Sequence, residues 1–171
     1  MLRRPFFHPL WRKCQEDRWV GAGITDGNRC ALALGLALGK GYEPRRALGE
    51  MSFRQLGPPR LPFQRGVHAG IQGAEVLGRF YVRCDQLAWR LISEWGTPKT
   101  LHGRDAFDAI HGKTGVIFVK NGFRPHHGGR ENHIDLWNGT QMGSWRKLDA
   151  SEHTYRGLFA KADLIWFWEL H

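Results

Sequence analysis

Gly57-Pro58-Pro59 and Leu61-Pro62 lie inside a stretch, residues 43 to 79, that is crowded with glycine, proline and arginine. Proline removes a backbone donor and glycine weakens helix and strand alike, so no long regular element is expected there. The stretch reads as a surface excursion, and the core has to be assembled from the segments that flank it. With 171 residues, 42% of them hydrophobic, the chain can bury one good core and is short for two. A single domain spanning 1–171 is the expectation.

Before the excursion, the run from Cys30 to Leu38 has Leu32, Leu34, Leu36 and Leu38 alternating as in a strand, but Ala and Leu are strong helix formers. Helix is the preferred reading, with Asp26 and Asn28 as caps and Gly39-Lys40-Gly41 as the stop. After it, Arg79–Arg83 reads as a short strand or lead-in. Cys84–Trp95 then places apolar residues at 84, 87, 88, 91, 92 and 95, an amphipathic helix ended by Gly96 and Pro98. Gly115–Val119, His133–Trp137 and Ala162–Trp168 read as strands. Residues 1–24 show no clear period and are expected to be irregular. Helices first and strands last describe an α+β fold.

Lys and Arg number 25 against 16 Asp and Glu, a formal charge of +9. Such a surface attracts polyanions, whether nucleic acid, acidic lipid, anionic wall polymer or an acidic protein. The three cysteines, Cys14, Cys30 and Cys84, form no CxxC pair, which argues against a disulfide framework and a zinc ribbon. No apolar run approaches the ~20 residues needed to cross a bilayer. Phe6-Phe7-His8-Pro9-Leu10-Trp11 is interrupted too early to be a signal-peptide core. The expectation is therefore a protein made in the cytoplasm without a signal peptide, exported by another route if at all, and without membrane insertion.

Two segments carry chemistry. Asp26-Gly27-Asn28-Arg29-Cys30-Ala31 puts a thiol at the start of the first helix, and Asn132-His133-Ile134-Asp135-Leu136-Trp137-Asn138-Gly139 puts an imidazole on a strand closed by an Asn-Gly turn. A thiol attacks as thiolate, a minor species near neutral pH at the usual pKa of about 8.5. A helix N-terminus and a nearby imidazolium both favour it. On the strand, 133, 135 and 137 share one face and Ile134 and Leu136 the other, so His133 can face a cleft while its neighbours anchor the strand. A cysteine before Ala-Leu-Ala-Leu is by itself an ordinary small hydrophobe. Cys30 differs from Cys14 and Cys84 in having a cap, a helix and a glycine turn around it. Cys84 falls on the apolar stripe of its helix and reads as core.

Taken in order, the segments resemble the fourth family of type VI secretion amidase effectors, small papain-like hydrolases that cut peptidoglycan peptides. The family's Asn-x-Cys-Ala is matched by Asn28-Arg29-Cys30-Ala31, and its later His motif by His133-Ile134-Asp135-Leu136-Trp137-Asn138-Gly139. Arg79–Arg83 with Gln86-Leu87-Ala88 and Trp95-Gly96-Thr97-Pro98 looks like its central helix. Gly112–Phe118 looks like its first core strand and Ile165–Trp168 like its closing strand.

The resemblance implies a papain-like/NlpC-type cysteine hydrolase, with helices first and an antiparallel sheet toward the C-terminus. Cys30 would be the nucleophile and His133 the base and acid, with Asn28, Trp137 and Asn138 as substrate-binding residues. The implied substrate is the peptidoglycan stem peptide, cut between D-glutamate and meso-diaminopimelate in the periplasm of a target bacterium. The implied partners are the secretion apparatus and an acidic cognate immunity protein. Three positions depart from the family pattern. Ala33 stands where Arg is common, Asn132 where Gly is, and Ser144 where an Asp orients the imidazole. Asp135, Ser144 and Asp149 are thus all open as the third catalytic residue.

Competing readings use the same residues. A papain-like fold could serve protein acyl transfer or deamidation, since fold does not fix reaction. A basic nucleic-acid module would use the +9 charge and the eight tryptophans, although most of these lie in apolar-periodic segments. His126, His127 and His133 suggest a metal, but two adjacent His in a loop and no spaced acidic partner do not make a tetrahedral site. Neither metal nor cofactor is expected, and activity should persist in chelator.

Overall fold

A computed structural model describes residues 3–16, 29–39, 84–123, 130–143 and 151–171. The excursion at 43–79 and the segment Arg79–Arg83 lie outside these residues. In chain order the elements are α1 (Phe7–Glu16), α2 (Arg29–Leu38), α3 (Cys84–Trp95), β1 (Lys99–Leu101), α4 (Asp105–Ile110), β2 (Gly115–Phe123), β3 (Glu131–Trp137), α5 (Glu152–Lys161) and β4 (Leu164–Glu169). Helices do lead, but α4 and α5 interrupt the strands.

The strands form one antiparallel sheet in the order β1-β4-β2-β3. Its centre is β2, with Phe118 opposite both Ile134 of β3 and Trp166 of β4. Alternation along these strands sends side chains to two faces, and helices cover both. On one face Val116, Phe118, Ile134, Leu136 and Trp168 pack with Leu10 of α1, Leu34 of α2 and Leu87 and Leu91 of α3. On the other, Ile117, Val119, Trp137, Ile165 and Phe167 pack with Phe107 of α4 and Tyr155 and Phe159 of α5.

Helix α1 replaces the irregular start expected from sequence. Phe7, Leu10, Trp11 and Cys14 recur at helical spacing on its inner face, and Pro9 is tolerated because it falls in the first turn. The Phe7 N–H donates to the His171 carbonyl at 2.9 Å, tying the two ends of the chain together. The stops of α2 and α3 are as read. Gly39 (φ 76°) and Gly96 (φ 83°) take the left-handed conformation that closes a helix, their N–H groups returning to Gly35 and Ile92.

Candidate active site

Cys30 is the second residue of α2 and Cys84 the first of α3, so each stands at a helix N-terminus, where the partial positive charge favours an anion. The packing of these helices sets the two sulfurs 3.0 Å apart as free thiols. Both are buried, Cys30 at 7% exposure and Cys84 at 5%. They lie beside β3, which among the described residues is an edge strand of the sheet. The backbone of Ile134 donates to the sulfurs. The Leu136 N–H donates to Asp135 Oδ1 at 2.7 Å.

His133 is held between the thiol and a carboxylate. Its Nε2 lies 3.3 Å from Asp135 Oδ2, with the two side chains 12% and 5% exposed. The ring also hydrogen-bonds Cys30, and with Nε2 engaged the nitrogen left for the sulfur is Nδ1. Burial on its own would lower the imidazole's pKa. The Cys30 charge, the Asp135 hydrogen bond and the Cys30 hydrogen bond outweigh it and push His133 up to about 10. Cys30 moves the other way, well below an ordinary thiol. The hydrogen bond from Cys84 is the largest cause, opposed by burial and reinforced by the His133 charge and by hydrogen bonds from His133 and the Ile134 backbone. The two opposite shifts favour a thiolate–imidazolium pair.

A family profile described as type VI secretion system (T6SS), amidase effector protein 4 (Tae4), matches residues 27–168, a span that contains both Cys30 and His133. The chain belongs to the Tae4 family. The Tae4–Tai4 effector-immunity complex from Salmonella Typhimurium contains a chain that superposes with a TM-score of 0.54 at 18% identity, covering 99% of this chain and 100% of that one. The crystal structure of Tae4 from Enterobacter cloacae gives a TM-score of 0.49 at 18% identity, with 99% and 98% covered. The first likeness is one of fold. No match is found among curated proteins.

The remaining sequence-derived positions of this Tae4 chain divide sharply. Asn28, Ser144 and Asp149 lie outside the described residues, as do His126 and His127. Asn138 uses its side-chain oxygen locally, accepting from the N–H groups of Thr140 and Gln141 at 3.0 and 2.9 Å to close the turn. Trp137 differs from the substrate-binding expectation. It is fully buried, its indole N–H donates to the Ile110 carbonyl at 3.0 Å, and its ring meets Phe107 and Tyr155 edge-on. At Trp137 the strand face is therefore covered by Phe107 of α4 and by Tyr155 and Phe159 of α5 rather than open to a cleft.

The departure at Asn132 has a local use. Its side-chain oxygen accepts from the Asn121 N–H at 3.0 Å, holding Asn121 at φ 53° within the register shift between Val119 and Phe123. The contact of Cys84 with Cys30 has no sign in the sequence, where Cys84 falls on an apolar stripe. Trp95, Trp137 and Trp168 are core residues, which removes them as stacking platforms for bases. Among the described residues no group of three His, Cys, Asp or Glu is placed to hold a metal, and no helix is long and apolar enough to cross a membrane.

Proposed function

We propose that this Tae4 chain is a papain-like cysteine amidase that cuts the D-glutamyl–meso-diaminopimelate bond of peptidoglycan stem peptides. The observation that carries the reading is the line Cys30–His133–Asp135, with its thiol on a helix N-terminus and its imidazole raised to about 10. Family membership as an amidase effector supports the reaction type.

The thiolate of Cys30 attacks the D-glutamyl carbonyl carbon, and the carbonyl electron pair moves to oxygen. N–H groups at the start of α2 stabilise that oxyanion. Collapse of the intermediate breaks the C–N bond as His133 delivers its proton to the leaving amine of diaminopimelate. His133, now neutral, takes a proton from water, whose oxygen attacks the thioester. The D-glutamyl acid leaves and the ion pair is restored. Asp135 orients the ring and balances the imidazolium charge.

As a type VI effector the protein would act in the periplasm of a target bacterium. The producing cell would need an immunity protein, and the solved Tae4–Tai4 complexes are effectors bound to such a partner. A net charge of +9 suits both a carboxylate-rich polymer and an acidic inhibitor.

Digestion of purified muropeptides, with products identified by mass, tests the bond assigned. New termini at D-glutamate and diaminopimelate are expected. Cleavage at another bond, or none, overturns the assignment.

A further inference from the structure

We propose that Cys84 is a positioning residue whose S–H donates to the Cys30 sulfur and holds it as the thiolate. The inference rests on the reading of Cys30 as nucleophile, and deepens it. Both cysteines open helices, in α2 and α3, and their sulfurs stand 3.0 Å apart in a pocket closed to most water. A thiolate deprived of water needs donors from the protein. His133 and the Ile134 backbone supply two, and Cys84 is placed to supply another.

The direction of donation follows from the surroundings. Cys30 has the imidazolium of His133 against it, whereas Cys84 feels the negative charges of Cys30 and of Asp85 on its own helix, both of which raise it. The shared negative charge therefore settles on Cys30. Cys84, pushed well above an ordinary thiol by that hydrogen bond and by burial, keeps its proton. Among the described residues, Asp135 of β3 meets the pair through His133, and Cys14 of α1 packs against the same apolar cluster. Removing Cys84 thus takes away a donor and leaves the imidazolium in place.

The test is the pH dependence of iodoacetamide alkylation at Cys30, read by peptide mass so that Cys14 and Cys84 are counted separately. In wild type the Cys30 midpoint should lie below that of an ordinary thiol. Cys84→Ala should raise it and slow alkylation at the acid end of the curve by about 10- to 100-fold, the range of a hydrogen bond to a charged group. Cys84→Ser, which keeps a donor, should recover part of the difference. An unchanged midpoint in folded Cys84→Ala would overturn the proposal while leaving Cys30 as nucleophile. An ordinary midpoint in wild type would instead remove the nucleophile reading itself. If Cys84→Ala does not fold, the reciprocal holds the test open. Cys84 in Cys30→Ala should ionise at lower pH than Cys84 in wild type, and equal midpoints would contradict the coupling.

Discussion

Asp135 Oδ2 sits 3.3 Å from His133 Nε2, two residues further along the same edge strand. In Ser-His-Asp triads the acid serves to fix the ring and stabilise the imidazolium. In the proposed mechanism Asp135, on the strand that carries the histidine, takes this part, and its second oxygen is fixed by the Leu136 N–H.

Asp135→Asn should therefore fold, because the amide oxygen can still accept from Leu136. It should lose activity by roughly 10²- to 10⁴-fold, as an orienting carboxylate does elsewhere. The measurement is kcat/KM on a muropeptide, beside Ser144→Ala. A loss below tenfold in Asp135→Asn with a large loss in Ser144→Ala would transfer the orienting role to Ser144.

The pH profile follows from opposite shifts in the two partners. Cys30 is lowered, so the thiolate and the activity persist well into the acid side and are lost as pH falls through its folded pKa. His133 is raised, so the proton needed by the leaving amine is present below about 10 and lost above it. A broad plateau across neutrality with an alkaline limb near 10 is expected. In Asp135→Asn that limb should move to lower pH, because the carboxylate's hydrogen bond and charge both raise the ring.

The sulfur contact predicts a sensitivity to oxidation. At 3.0 Å the pair is about 1 Å beyond disulfide bonding distance. With oxidised glutathione, the Cys30 thiolate displaces one glutathione to form a mixed disulfide. Cys84, once deprotonated, displaces the second, so two protein thiols are oxidised as one glutathione disulfide is reduced to two thiols. Loss of activity with a Cys30–Cys84 linkage in peptide maps, reversed by dithiothreitol, is expected. Cys84→Ala should stop at the mixed disulfide.

Tyr155 serves stability. Its phenol oxygen accepts from the Met142 N–H at 2.8 Å, and burial pushes its pKa up to about 12, keeping it neutral at working pH. Tyr155→Phe leaves that buried N–H without its acceptor and should lower unfolding free energy by about 1–3 kcal/mol, measured by urea denaturation. An effect confined to KM would instead place Tyr155 against substrate.

What was legible in sequence depended on whether one element held the whole signal. The apolar stripe of α3, from Cys84 to Trp95, carries its own period and its own stop at Gly96, and was readable to the residue. The stripe of α1 is masked by His8, Pro9 and the charges between its apolar residues. Helix α4 has only six residues, too few to establish a period. Helix α5 did leave a signal that went unread, Ser151 capping the Thr154 N–H ahead of Tyr155, Leu158 and Phe159. Missing α4 and α5 had a direct consequence, because Phe107 and Tyr155, which they carry, pack around Trp137 and close off that end of the strand face. The Cys30–His133 pair was inferable from motif order, since each lies in a recognisable segment. Cys84 was not, because its contact with Cys30 joins residues 54 apart and exists only once α2 and α3 pack.

Replacing the Cys30 sulfur tests most directly whether it is the nucleophile of an amidase. Wild type, Cys30→Ala and Cys30→Ser should be compared on purified muropeptides, with folding of each checked by circular dichroism. Turnover is expected in wild type, and its loss in both folded variants. Turnover retained by folded Cys30→Ala would contradict that role.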